Sequence, residues 1–246
     1  MLSHLEGKRR DRDNRRLAGW LAFVAGAVNA GGFLAIGRYT SHVTGTLSSF
    51  ADDLALGRWH GAILPLTILA SFFTGALAST TFVIYAGRRG LRSRYAVALM
   101  FEAALLLVFG RWGSTRGGGK EGELALAALL SLIMGMQNAM VTKISGAVVR
   151  TTHMTGIVTD LGIELSRLLY VNVSNRGAAA RVIANRDRLL LHGLIFLSFF
   201  TGGVTGALGF LRLGYVSVLP LAAILAALAY YPIYRELRTR WRARNR

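Results

Sequence analysis

Apolar residues collect into six long stretches, roughly 17–36, 60–86, 95–110, 123–143, 189–211 and 215–234. Each is long enough to cross about 30 Å of hydrocarbon as a helix. The first begins at Leu17-Ala-Gly-Trp20 and no small-residue cleavage site follows it, so it is expected to be a retained span and not a removed signal peptide. Two intervening segments, 37–59 and 144–188, are too polar to face lipid. Each nevertheless holds a mildly apolar stretch with an embedded histidine and a Thr-Gly pair, and each is expected to return to the side it left.

Composition agrees with this pattern. Of 246 residues, 53% are apolar and 17% charged, with mean hydropathy +0.43, against about 45–50% and about 25% in soluble domains. A net charge of +17 on a polar domain would suggest nucleic acid. Here the basic residues lie in short runs between apolar stretches, so the expected partner is the lipid bilayer and not a nucleic acid. The chain has no cysteine, which removes disulfides, thiolate metal sites and cysteine nucleophiles. The basic runs also set an orientation, because short basic loops stay cytoplasmic. With six crossings, 23 of the 29 Lys and Arg fall on the side of both termini and six on the other, so both termini are expected to be cytoplasmic.

The chain also repeats itself. Gly26-Ala-Val-Asn29-Ala30 matches Gly135-Met-Gln-Asn138-Ala139, Thr40-Ser-His42-Val-Thr44-Gly45 matches Thr151-Thr-His153-Met-Thr155-Gly156, and Ser71-Phe-Phe-Thr74-Gly75 matches Ser198-Phe-Phe-Thr201-Gly202, at offsets of 109, 111 and 127 residues. Three matches in the same order indicate a duplicated unit. The expected layout is a basic arm (1–16), repeat one (17–110), an external loop (111–122), repeat two (123–234) and a basic tail (235–246). Three crossings per unit invert the second copy. The fold class is therefore an all-α integral membrane protein with six transmembrane helices, two non-crossing half-helices and an inverted 3+3 repeat. Folds of that kind place substrate near the midplane at the repeat interface.

The early Asn29 followed by a Thr-Gly segment, repeated at Asn138 and Thr155-Gly156, resembles the YoaK-like bacterial membrane proteins over about 17–234. Members often carry Thr-Gly-Asn at the turn, whereas Thr46 and Ile157 follow the glycines here, so no role for that asparagine carries over. The resemblance implies a multi-pass protein of the bacterial cytoplasmic (inner) membrane. It supports transport only by analogy with other inverted-repeat folds.

The His-x-Thr-Gly segments are the strongest candidates for chemistry. A hydroxyl of Thr40, Ser41 or Thr44 can cap a short helix over about 45–57. Thirteen residues span about 20 Å, which reaches between midplane and surface but does not cross. A second such helix starts near Gly156, with Thr152 in the matching turn. If both starts lie at the midplane, their N–H groups and positive dipole ends form an anion site; the alternative is two amphipathic helices lying on opposite surfaces. His42 and His153 can donate to an anion or carry a coupled proton, or serve as structural hydrogen bonders. Asn29 and Asn138 either bond across helices or line the site.

Glu102, near the middle of an apolar span, is either a proton-coupling group or an interior structural acid. Asp52, Asp53, Asp160 and Glu164 suggest a metal site less well than they suggest solvated helix ends or ion pairs with Arg58 and Arg167. Small residues in the second and fifth spans, such as Ser71, Gly75 and Ser79, allow close helix approach. The sequence holds no Gly-x-Ser-x-Gly, His-Glu-x-x-His or phosphate-loop motif, so no cofactor is expected and a soluble-type enzyme is disfavoured. These observations favour a secondary transporter or channel-like carrier for a small solute, with an anion preferred. The competing readings are a membrane-embedded enzyme using His and Asp residues and a non-transporting structural or regulatory membrane protein. Six crossings are few for a transporter core, and a homodimer would supply more.

Overall fold

A computed structural model describes residues 11–116, 119–144, 151–170 and 182–245, and every regular element among them is helical. In chain order these are α1 (Asp11–Ile36), α2 (Val43–Ala55), α3 (Trp59–Arg88), α4 (Arg94–Arg116), α5 (Lys120–Ile144), α6 (Met154–Leu169), α7 (Arg186–Leu213) and α8 (Val218–Arg244). Five segments are long and apolar enough to cross a membrane: Arg15–Ile36, Trp59–Arg88, Arg94–Thr115, Glu121–Ile144 and Arg186–Arg242. The last is 57 residues long and is not one straight rod. Gly214 adopts φ +57°, a conformation open to glycine because it has no Cβ. With the short 3-10 turn Gly214–Ser217 it separates α7 from α8.

The surface is that of a molecule in lipid. Phe73, Phe101 and Phe200 are 68%, 56% and 60% exposed, and they belong to a much larger set of exposed apolar side chains on α3, α4, α7 and α8. Water would penalise such continuous apolar surface, whereas hydrocarbon does not. Inside, Leu21, Leu99, Leu106, Phe109, Ile133 and Leu225 are fully buried and form one core across α1, α4, α5 and α8.

Helix pairing follows the small residues. On α1 and α7, a Cβ at Gly26 would overlap the carbonyl oxygen of Phe199, and one at Gly202 would overlap that of Phe23. The same exchange joins α3 to α5, where Gly75 lies on the carbonyl of Leu132 and Gly135 on that of Phe72. In hydrocarbon no hydrophobic force pulls helices together, so backbone contact of this kind is a main source of packing energy. The third long pair is α4 with α8. Two polar ties fix helix ends: Arg15 bonds Asp187 at 2.7 Å, joining the starts of α1 and α7. Glu236 on α8 accepts from the Ser93 N–H at 2.6 Å at the start of α4.

Three helices run past the apolar stretches that mark them in the sequence. Helix α4 runs to Arg116, so the first six residues of the expected loop 111–122 are helical. Helix α8 runs to Arg244, which makes the basic tail largely helix, and α1 already begins at Asp11. Hydropathy marks where lipid ends, while Arg, Glu, Leu and Ala sustain a helix well beyond that point. The first short helix has its expected length, two residues earlier than 45–57. Helix α2 has 13 residues and α6 has 16.

Candidate functional site

The starts of α2 and α6 are held by repeat-related hydrogen bonds. Ser41 Oγ donates to Asn29 Oδ1 on α1 at 2.7 Å, and Thr152 Oγ1 donates to Asn138 Oδ1 on α5. Asn138 in turn donates from Nδ2 to the Met134 carbonyl at 2.9 Å. An amide inside a membrane-type bundle must find partners, and here each asparagine uses its carbonyl to position a short helix. This corrects the expected capping. The N-cap residues are His42 and His153, and neither start has a side-chain cap hydrogen bond. Ser41 and Thr152 stand one residue before the N-cap histidines and donate to the part-buried amide carbonyls, while Thr40 and Thr151 are buried without a hydrogen-bond partner among the described residues.

Gly45 and Gly156 also have a role different from that expected. A Cβ on Gly45 would overlap the His42 ring, and one on Gly156 would press on the His153 ring. Each glycine lets the preceding histidine fold back over its own helix start.

The two starts meet at one cavity of about 360 Å³. Residues 41–44 line it from α2 and residues 152–155 from α6, with Phe72, Asn138 and Thr142 completing the wall. No Asp or Glu is among those lining residues. A second cavity of about 230 Å³ lies beside it, between the end of α1, α2 and α3, and is lined by Arg38, Tyr39, Gly45 and Pro65 among others. His42 lines both, so the two cavities share this residue.

A model of the family described as "Protein of unknown function (DUF1275)" matches residues 17–231. The chain belongs to that family. No curated protein and no solved structure matches the chain. The match takes in both short helices and every residue of the cavity wall, so the site of this DUF1275 member lies within the family's shared region.

Other candidates fall outside the cavity. Asn29 positions Ser41 without lining the wall, and Gly156 lies under His153. Glu102 is 2% exposed on α4 and its Oε2 has no hydrogen-bond partner among the described residues, but it lines neither cavity. Two of the acidic residues, Asp53 and Glu164, tie the far ends of the short helices to the next long ones. Asp53 pairs with Arg58 at 3.0 Å, and Glu164 pairs with Arg167 at 2.9 Å while accepting the Asn185 N–H at 2.8 Å. Glu164 is buried, and its pair with Arg167, like that of Asp53 with Arg58, is the ion pair expected from the sequence; through Asn185 it also ties α6 to the start of α7. Among the described residues no group of three His, Asp or Glu side chains could hold a metal ion.

Sequence reasoning missed Phe72 and Thr142, and it set Gln137 aside. Phe72 was visible inside the Ser71-Phe-Phe-Thr-Gly75 repeat, and Thr142 stands one helical turn beyond Asn138. Gln137 is 1% exposed with neither amide atom hydrogen-bonded among the described residues. Its repeat partner is Val28, so symmetry gives it no support, and it lines neither cavity.

Proposed function

We propose that this DUF1275 protein is a secondary transporter or channel-like carrier that binds a small solute, an anion in preference, between the starts of α2 and α6. The observation that carries the reading is the shared cavity. Two helix N-termini line it, neither start has a side-chain cap, and the wall holds two imidazoles and no carboxylate. Each N-terminus carries roughly half a positive charge, worth up to about 2 kcal/mol to an anion when partly buried. The substrate-contacting residues in this reading are Ser41, His42, Thr44, Asn138, Thr152, His153 and Thr155, with Asn29, Gly45 and Gly156 shaping the two starts. Proton coupling is assigned to His42 and His153 ahead of Glu102, which lies off the wall.

The inverted six-crossing repeat belongs to the same reading. Its support is that the α1–α7 and α3–α5 contacts use repeat-related residues: Gly26 with Gly135, Gly202 with Gly75, and Phe199 with Phe72. In this arrangement α7 and α8 cross separately by turning at Gly214, and the bacterial inner membrane holds both termini inside. The second cavity, at the end of α1 beside Arg38, then lies toward the outer side and shares His42 with the first. A homodimer would enlarge this small core.

Flux tests the proposal. Reconstituted protein is expected to move at least one member of a panel of small anions, cations and neutral metabolites, with anions fastest, and Thr44→Trp and Thr155→Trp are expected to stop that flux while leaving the protein monodisperse. Absence of flux across the panel, or full flux in both variants, would reject it. Topology is checked separately, since the chain has no thiol of its own. Cysteines at Ser114 and Val216 should react with an impermeant reagent added outside, and those at Arg88 and Asn245 only after the membrane is opened. Outside labelling at position 245 would reverse the orientation.

A further inference from the structure

We propose that the end of the bundle where α3 finishes, α4 starts and α8 finishes is a binding site for the headgroup of an anionic phospholipid, best suited to one with two phosphates. Two adjoining cavities lie there. One of about 410 Å³ is lined by Gly90, Arg92, Ser93, Arg235, Glu236 and Arg240, among others. The second, of about 280 Å³, is lined by Tyr231, Tyr234, Arg235, Arg238 and Arg242, among others. Arg235 and Thr239 belong to both.

The charges in these walls do not cancel. Glu236 is the one carboxylate in either lining, and it is already engaged. It accepts the backbone N–H groups of Arg92 at 3.2 Å and Ser93 at 2.6 Å, and it pairs with Arg240 at 2.7 Å. Arg240 also donates to the Gly90 carbonyl at 3.2 Å. This network closes the α3–α4 turn onto α8 and neutralises one arginine. Arg92, Arg235, Arg238 and Arg242 have no carboxylate within ion-pair distance among the described residues, and they face the two cavities. Guanidinium groups are well shaped for bidentate contact with phosphate oxygens.

The surroundings select a lipid over a soluble anion. Tyr231 and Tyr234 stand exposed where the apolar part of α8 gives way to its arginines, as aromatic side chains do at a membrane–water boundary. Acyl chains attached to a phosphate held here would continue along the exposed apolar face of α8, at Leu219 and Tyr230. Basic pockets between helices at that depth suit anionic headgroups.

Native mass spectrometry of the detergent-solubilised full chain supplies the test. Diphosphatidylglycerol should be retained best, phosphatidylglycerol less and phosphatidylcholine least. Arg235→Gln with Arg238→Gln should cut diphosphatidylglycerol retention about tenfold or more; both side chains are exposed and unpaired, so folding is preserved. Arg88→Gln with Arg89→Gln removes the same charge at the same end but outside both linings, and should keep the lipid. Equal losses in the two pairs would mean that bulk charge alone attracts lipid, and equal retention of phosphatidylcholine would mean that phosphate charge is not read. Displacement by inorganic phosphate alone would mark a soluble-anion site. Any of these three results overturns the proposal.

Discussion

Gly75→Val is expected to prevent recovery of folded, monodisperse protein, and Gly202→Val to do the same, while Gly162→Ala and Gly193→Ala leave it intact. All four positions are helix interiors, so propensity alone would treat them alike. They differ in what a Cβ would meet. At Gly75 and Gly202 it would run into the carbonyls of Leu132 and Phe23, whereas nothing lies within 4 Å of one at Gly162 or Gly193. Overpacking against movable side chains costs about 1–3 kcal/mol; a backbone carbonyl inside a packed helix cannot rotate aside, so the cost should exceed that range. Loss of this order consumes much of a stability of about 5–15 kcal/mol. The alanine variants should gain up to about 1 kcal/mol from helix propensity. Thermal unfolding followed by size-exclusion fluorescence reads both effects, and a Gly75→Val protein with unchanged Tm would show that α3 and α5 do not meet through this glycine.

What the sequence revealed, and what it concealed, divides along physical lines. Long apolar runs located the long helices because lipid solvation acts residue by residue, so Trp59–Arg88 was readable as 60–86 without knowing its neighbours. The small residues of the second and fifth spans were readable as places of close approach, but their partners were not, since Gly26 and Phe199 are far apart in sequence. Helix ends were not readable at Arg116 or Arg244, because the hydropathy signal stops at the lipid boundary while the hydrogen-bond ladder continues. The caps misled for a different reason. Ser41 and Thr152 have the chemistry of N-cap residues, but each stands one residue before the N-cap, His42 or His153, and its hydroxyl is held by the side chain of Asn29 or Asn138. Glu236 gave no signal at all: its role arises from the α3–α4 turn, more than 140 residues earlier in the chain.

A cysteine pair at Thr44 and Thr155 is expected to be bridged within one molecule by a short bifunctional thiol reagent, and each single variant to take up reagent without bridging. The two residues lie on different short helices and in different halves of the sequence, yet both line the cavity of about 360 Å³. Because the chain has no cysteine, the introduced pair supplies every thiol and the product can be read by intact mass. A shared cavity fixes the pair at high effective concentration, so bridging should outrun addition of a second reagent molecule by a large factor. Two helices lying on opposite faces would give two separate adducts instead, and that product would dissolve the site. The same pair then reports on the ligand. An anion selected by flux should slow bridging when it fills the space between the two uncapped starts, and His42→Gln should change how that protection varies with pH if the imidazole carries the coupled proton. Protection that is strong, anion-specific and independent of His42 would keep the helix starts as the binding element and leave the histidine as a residue shared by two cavities.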